Sequence, residues 1–384
     1  MIITPFTISI GQGQIEDLQR RLAGTRWPGS LQTGGWSRGV PKDYLKKIAK
    51  HWEQKYDWRE HEAALKKYPQ FMTEVDGQPI HFIHVVSAES NATPLLLNHG
   101  YPGSIIEILP LIDRLTNPAK YGDKAKEAFH VVAPSLPGFG FSNPVKEIGW
   151  NIARTAQAYA QIMKVLGYDK YGVQGSDIGA GICQQMCLID VDHIIGAHTS
   201  VDPTSLALTG MLAMVPADRL PETEKAQVEK WKAYAEDGKG YLQLQSTRPD
   251  TIGYALNDSP VAQLAWILEK FHEWTNPANK LLEDTADIDQ LLTNVSLYWF
   301  TGSGASAAQF LYEAAHAAPN WGAVPTAPAG SAIFNNESFI RMVLDPEHKS
   351  IHWSEFSEGG HFPGLEVPEL LARDLRKFFF ESIK

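Results

Sequence analysis

Tyr171-Gly172-Val173-Gln174-Gly175-Ser176-Asp177-Ile178-Gly179 carries the sharpest structural signal in the chain. A short apolar run reads as a strand, and Ala180 through Leu188 reads as the helix that follows it directly. Glycines stand two residues before and two residues after Asp177. That is the spacing of a nucleophile elbow, a strand-to-helix turn so tight that it lifts one side chain above the sheet and leaves no room for a Cβ beside it. The residue presented is Asp177, since Gln174 and Ile178 flank Ser176 instead. An Asp before a helix is also an ordinary N-cap, so the five residues alone divide evenly between the two readings.

Strand signals surround the elbow. Asp76-Gly77 between Phe71–Val75 and Ile80–Val86 is a two-residue hairpin signature. Leu95-Leu96-Leu97, His130–Ala133 and Ile194–Val201 are continuous apolar runs, and between the second of these and the elbow strand Ile152, Ala156, Tyr159, Met163 and Leu166 recur at helical spacing. Strand, helix, strand with short loops predicts parallel βαβ units with both faces of the sheet covered. The pattern stops near Asp202 and resumes with Ser331–Phe334, Ser350–Phe356 and a terminal helix over Pro368–Phe380. Residues between read as helical and include Trp231, Trp266, Trp274, Trp299 and Trp321. The expected organisation is an N-terminal wrapping segment (1–70), with helices at Gln14–Leu22, Pro41–Lys50 and Trp52–Leu65. After it come a first part of an α/β core (71–202), an inserted helical lid (203–325) and a second part of the core (326–384).

Composition excludes several classes. The chain has 384 residues, 43% hydrophobic and 20% charged, which is ordinary for a globular protein. Its net charge of -10 argues against general nucleic-acid binding. Cys183 and Cys187 read as small core residues in a reducing compartment. No signal peptide and no run of roughly 18 apolar residues is visible, so the expectation is a soluble cytoplasmic protein without a membrane anchor. His61-Glu62 and His272-Glu273 lack the second histidine of a zinc motif. Gly302-Ser303-Gly304 follows no strand. Neither a metal nor a nucleotide cofactor is expected.

A carboxylate at the elbow has its own chemistry. With an ordinary pKa of about 3.9 it is ionised at neutral pH and needs no base in order to attack. It suits alkylation at a saturated carbon, which leaves a histidine free to activate water against the resulting ester. His361, in Glu358-Gly359-Gly360-His361-Phe362-Pro363, is the one histidine in the final strand-to-helix loop, and His352 is its weak competitor. An acid is expected after the strand ending at Phe334. Glu337 is the first candidate there, with Asp345 and Glu347 as rivals. The loop His99-Gly100-Tyr101-Pro102-Gly103 would supply one backbone N–H of an oxyanion hole, from Tyr101, and Ile178 the other. Pro102 has no N–H to give.

With these parts in view, the chain resembles an epoxide hydrolase of the microsomal or juvenile-hormone type over nearly its whole length. The similarity rests on Asp17-Leu18, Arg20-Arg21-Leu22 and Thr25-Arg26-Trp27-Pro28. It continues through His99-Gly100-Tyr101-Pro102-Gly103-Ser104, Pro137-Gly138-Phe139-Gly140-Phe141-Ser142, Gly359-Gly360-His361-Phe362 and the long stretch Ser246–Pro260. The resemblance implies an α/β-hydrolase fold, a mostly parallel central sheet with helices on both faces and an inserted cap. It implies a cofactor-independent conversion of a small apolar epoxide to a vicinal diol, supports Glu337 as the acid, and implies two cap tyrosines over the nucleophile. By motif position these are Tyr241 and Tyr312, with Tyr254 and Tyr298 as decoys. Two departures stand out: Ser176 and Ile178 replace a Gly and a Trp of the family's elbow, and Phe334-Asn335-Asn336-Glu337 lacks the family's proline.

Two rivals predict different behaviour. A haloalkane or haloacid dehalogenase shares the Asp and His but needs halide-binding donors in place of paired tyrosines. A non-catalytic binder of apolar ligands would be indifferent to the loss of Asp177. A homodimer is compatible with the sequence, which does not decide it.

Overall fold

The computed structural model describes residues 1–29, 35–215, 220–276, 278, 287–318, 326–337 and 339–383. Trp321 and the expected lid boundary at residue 325 lie outside these. The strands are β1 (Thr4–Pro5), β2 (Gln70–Val75), β3 (Gln78–Val85), β4 (Thr93–Asn98), β5 (Phe129–Pro134), β6 (Tyr171–Ser176), β7 (Ile194–Val201), β8 (Ala329–Ile333) and β9 (His352–Glu355). They form one sheet in the order β1-β2-β3-β5-β4-β6-β7-β8-β9. The first three pair antiparallel down to the β3–β5 contact, and every pair from β5 onward is parallel.

Register brings the chemistry to one edge. Asn98 of β4 lies opposite Gly175 of β6, Ser176 opposite Ser200 of β7, and Val201 opposite Ile333 of β8. The residues just past these ends therefore emerge side by side above the central strands, where open α/β sheets bind their ligands. Helices Ile152–Val165 and Ile178–Ile189 pack together on the sheet, as do Leu109–Thr116 and the terminal Pro368–Arg376. Phe378 and Phe379 press on Gly172, Gly196 and Gly330 of three adjacent parallel strands. Helical structure ends in a wider turn over Lys377–Ser382.

Between β7 and β8 the described residues contain helices and no strand. Two of these helices, Pro260–Trp274 and Ile288–Thr301, are buried along most of their length. The N-terminal segment holds the second of them from outside. Trp52 Nε1 donates to Ser296 Oγ at 2.9 Å, Tyr56 O–H to Thr293 Oγ1 at 3.1 Å, and His51 sits 2.7 Å from Asp289. Helix boundaries in this segment differ from expectation, and the second helix runs on from Lys42 to Gln54. The Trp52–Leu65 stretch is not one helix: the chain breaks after Gln54 and restarts at Trp58, because the Asp57 side chain caps the new helix by accepting from Arg59 N–H. Among the described residues, no helix is long and apolar enough to cross a membrane.

Candidate active site

Asp177 sits between β6 and the helix Ile178–Ile189 with φ 52° and ψ −124°. A non-glycine residue held at positive φ is strained, and such strain concentrates at functional sites. The flanking glycines make the turn possible. A Cβ on Gly175 would lie 2.4 Å from the Gly179 carbonyl, and one on Gly179 would lie 2.4 Å from Asn98 O. The N-cap reading fails here, since the Asp177 side chain accepts no hydrogen bond from its own helix. Its Oδ1 instead accepts from the Tyr101 N–H at 2.9 Å. The Ile178 N–H, first in its helix, has no intrahelical acceptor. Of the two backbone donors expected from the sequence, the Tyr101 N–H is on the carboxylate, and the Ile178 N–H opens the helix that follows it.

The Gly100–Gly103 loop is held by His99, which is fully buried. Leu136 N–H donates to its Nε2 at 3.1 Å, so its Nδ1 carries the proton and faces the Gly100 carbonyl at 3.1 Å. Burial keeps this imidazole neutral, with its pKa down to about 4.

His361 faces Asp177. Its Nε2 stands 3.7 Å from Asp177 Oδ2, beyond hydrogen-bond length, and has no other partner. Its backbone N–H is anchored on the Trp274 carbonyl at 2.9 Å. The acid that holds it is Asp202, not Glu337. His361 Nδ1 lies 2.9 Å from Asp202 Oδ1, which also accepts from Ser205 Oγ at 2.5 Å, while Oδ2 accepts from Thr204 N–H at 2.9 Å. Asp202 follows β7 directly, so the level strand ends bring it to His361. Glu337 lies farther along its loop and receives the Trp231 indole N–H at 3.5 Å. Asp345, a rival acid, is buried and accepts from the backbone of Lys349 and Ser350.

The charges around His361 decide its proton. Burial opposes the imidazolium, but Asp202, Asp177 and Glu107 together outweigh it and hold the pKa at about 9. Burial likewise opposes the Asp202 carboxylate, and His361, Ser205 and Thr204 bring its pKa below the ordinary range. Glu107 was not anticipated from the sequence. It closes the short turn Ile105–Glu107 after the His99–Ser104 loop and is 8% exposed. Burial first, and then Asp177, raise its pKa to about 8 against the opposing pull of His361.

Of the two expected tyrosines, the structure brings one to the neighbourhood of Asp177. The Tyr241 ring lies parallel to that of Tyr101, 6.0 Å between centroids, and 5.3 Å from Trp274, whose own ring is 4.8 Å from His361. Burial and then the charge on Asp177 raise the Tyr241 phenol well above its ordinary value, keeping it a donor. Tyr312 lays its ring on His316 at 4.0 Å, and the neighbouring Leu311 packs on the main core instead. One residue of helical rotation separates the two directions. Of the decoys, Tyr254 is exposed, whereas Tyr298 is buried beside the site and donates to the Gly103 carbonyl at 2.8 Å.

Among the described residues, one group could gather a cation: His198, His352 and Asp374. Its ligand atoms already satisfy one another, with each imidazole Nε2 2.9 Å from a different Asp374 oxygen and Ser354 Oγ 2.5 Å from Oδ1. Metal ligation by Nε2 would leave the unpartnered Nδ1 of His198 as a buried N–H without an acceptor. The group reads as a structural tie between β7, β9 and the terminal helix. It also accounts for His352, which is no competitor of His361.

Comparison with known proteins gives the family. Residues 3–108 match the model of the epoxide hydrolase N terminus, and residues 93–279 match that of the alpha/beta hydrolase fold. The chain is 42% identical over 383 residues to a protein of Stigmatella aurantiaca provisionally named an epoxide hydrolase, covering 98% of this chain and 84% of that one. It is 35% identical over 403 residues to epoxide hydrolase 1 of Sus scrofa, covering 98% and 88%. The crystal structure of juvenile hormone epoxide hydrolase from Bombyx mori superposes with a TM-score of 0.80 at 30% identity, covering 98% of this chain and 93% of that one. The chain is an α/β-hydrolase-fold enzyme and belongs to the epoxide hydrolase family.

Proposed function

We propose that the enzyme hydrolyses a small apolar epoxide to a vicinal diol through an ester on Asp177. One observation carries the reading: the Asp177 carboxylate has Oδ1 on the Tyr101 N–H and Oδ2 turned toward His361. Oδ2 is then the attacking atom. It bonds to a ring carbon, the ring C–O bond breaks, and the Tyr241 hydroxyl proton passes to the leaving oxygen. A serine in this place would need its proton removed first; Asp177 does not.

Alkylation neutralises Asp177 and removes one of the anions that hold the His361 proton. The imidazolium gives its Nε2 proton through water to the Tyr241 phenolate, and the neutral imidazole becomes a base. Water between His361 Nε2 and the ester gives up a proton and attacks Cγ. Glu107 supplies a second hydrogen bond to that water. The negative charge that develops on Oδ1 is met by the N–H groups of Tyr101 and Ile178. The Cγ–Oδ2 bond breaks, the proton of the new Cγ–OH passes to Oδ2, and the diol leaves with that original Asp177 oxygen while the carboxylate is restored. Asp202 fixes the His361 tautomer and offsets its charge. The helical segment between β7 and β8 serves as the lid that brings Tyr241 over the nucleophile.

A single turnover in heavy-oxygen water tests the ester route. The label enters the Asp177 carboxylate, detected by peptide mass, and the diol of that turnover is unlabelled. Direct attack of water on the epoxide would place the label in the diol and none in Asp177.

A further inference from the structure

The helix Pro260–Trp274 carries a buried cation that the steps above do not use. The Lys270 side chain is 4% exposed, and its ammonium lies 2.7 Å from Glu269 Oε1 and 2.8 Å from Glu273 Oε2. A buried ammonium requires such partners. The same ammonium also faces aromatic rings. Nζ stands 5.0 Å from the centroid of Tyr241 and 5.9 Å from that of Trp274, within the ~6 Å over which a cation is drawn to a π face. A lysine needed only to tie its helix would be served by the two carboxylates, both on its own helix.

Ring opening moves a charge toward this cation. The negative charge begins on Asp177. As the ester bond forms and the ring C–O bond breaks, the Tyr241 proton goes to the ring oxygen, and the charge ends on the Tyr241 phenolate. We propose that Lys270 is a positioning residue for this half-reaction, holding the Tyr241 ring by its face and stabilising the phenolate left when the proton is given up. Without the ammonium, Glu269 and Glu273 would present two unbalanced carboxylates next to a phenol that must itself become negative. Once the ester exists, its hydrolysis runs through His361 and water, and Lys270 has no part in it. The proposal rests on Tyr241 being the proton donor.

The test uses the full chain and styrene oxide in rapid-quench single turnovers, with intact mass following formation and decay of the adduct. Lys270→Met slows formation about 10- to 100-fold and leaves decay within about 2-fold, while Lys270→Arg forms the adduct within about 3-fold of the parent rate. In a Tyr241→Phe background the same Lys270→Met change costs less than about 3-fold, because its target is gone. A structural role would slow both half-reactions, or slow Tyr241→Phe as much as the parent. Either result overturns the proposal, as does an unaltered formation rate in Lys270→Met. If Lys270→Met does not fold, Lys270→Gln carries the same expectations. Absence of any adduct in the parent would defeat the ester reading itself, whereas a normal parent adduct with unchanged Lys270→Met kinetics defeats only the role of Lys270.

Discussion

Asp202 Oδ1 and His361 Nδ1 lie 2.9 Å apart, joining the residue that follows β7 to the loop that follows β9. Both side chains are nearly fully buried, so the hydrogen bond is shielded from competing water. A carboxylate so placed sets the tautomer that leaves Nε2 free toward Asp177.

Asp202→Asn should therefore cripple turnover, by roughly 10²- to 10⁴-fold in kcat, since an amide holds the imidazole in the wrong tautomer or not at all. Glu337→Gln should stay within about 3-fold. Steady-state rates on one epoxide for the two variants decide between them. A larger loss in Glu337→Gln would return the acid to the loop after β8.

His361 should leave a signature in stability. Its folded pKa of about 9 lies above the ordinary ~6.5, so the stabilisation is complete below pH 6.5 and disappears as pH rises through 9. The difference in melting temperature between the parent and His361→Gln should shrink over that window. A difference that is flat from pH 6 to 9.5 would contradict it.

Glu107 predicts an opposition between stability and rate. Burial keeps it protonated up to about pH 8 in the folded chain, whereas it ionises near its ordinary ~4.3 when unfolded. That raised pKa favours folding only at low pH and is a growing burden between pH 4.5 and 8. Glu107→Gln should melt with the parent at pH 4.5, melt above it at pH 8, and hydrolyse the ester more slowly. Calorimetry at the two pH values, with single-turnover decay rates, checks both halves.

Tyr241→Phe should slow ester formation about 10²-fold or more, as loss of a general acid does. Tyr312→Phe should change it by less than about 3-fold. Equal losses in the two variants would mean that Tyr312 reaches the ring oxygen after all.

The elbow, the parallel strands and the order Asp177 then His361 were legible because backbone requirements wrote them: glycines where no Cβ fits, and apolar runs where both sheet faces are covered. Asp202 was hidden in plain view. Asp202-Pro203-Thr204 reads as a helix N-cap, and Asp202 is one, accepting from Thr204 N–H while its other oxygen serves His361. One carboxylate doing both jobs leaves no separate trace in the sequence. Tyr312 failed for a different reason: a motif fixes position to within a residue, while a helix turns about 100° per residue, so Leu311 took the inward direction. Glu107 and Lys270 depend on contacts across the fold that no local spacing reports.

Asp374, which ties His198 to His352, predicts a purely structural loss. Its imidazole partners overcome the burial penalty and hold its pKa far below the ordinary range. The stabilisation is thus present above about pH 4 and fades as pH falls below that. Asp374→Asn should cost about 3–5 kcal/mol at pH 7 by denaturant unfolding, with KM unchanged in the protein that remains folded. An unaltered midpoint would show that the three groups do not depend on one another.

The account stands on a transient bond between Asp177 and the substrate. His361→Gln mixed with styrene oxide should gain one substrate mass, located on the peptide containing Asp177, and should release no diol. An unchanged mass, or an adduct on any other residue, would contradict it.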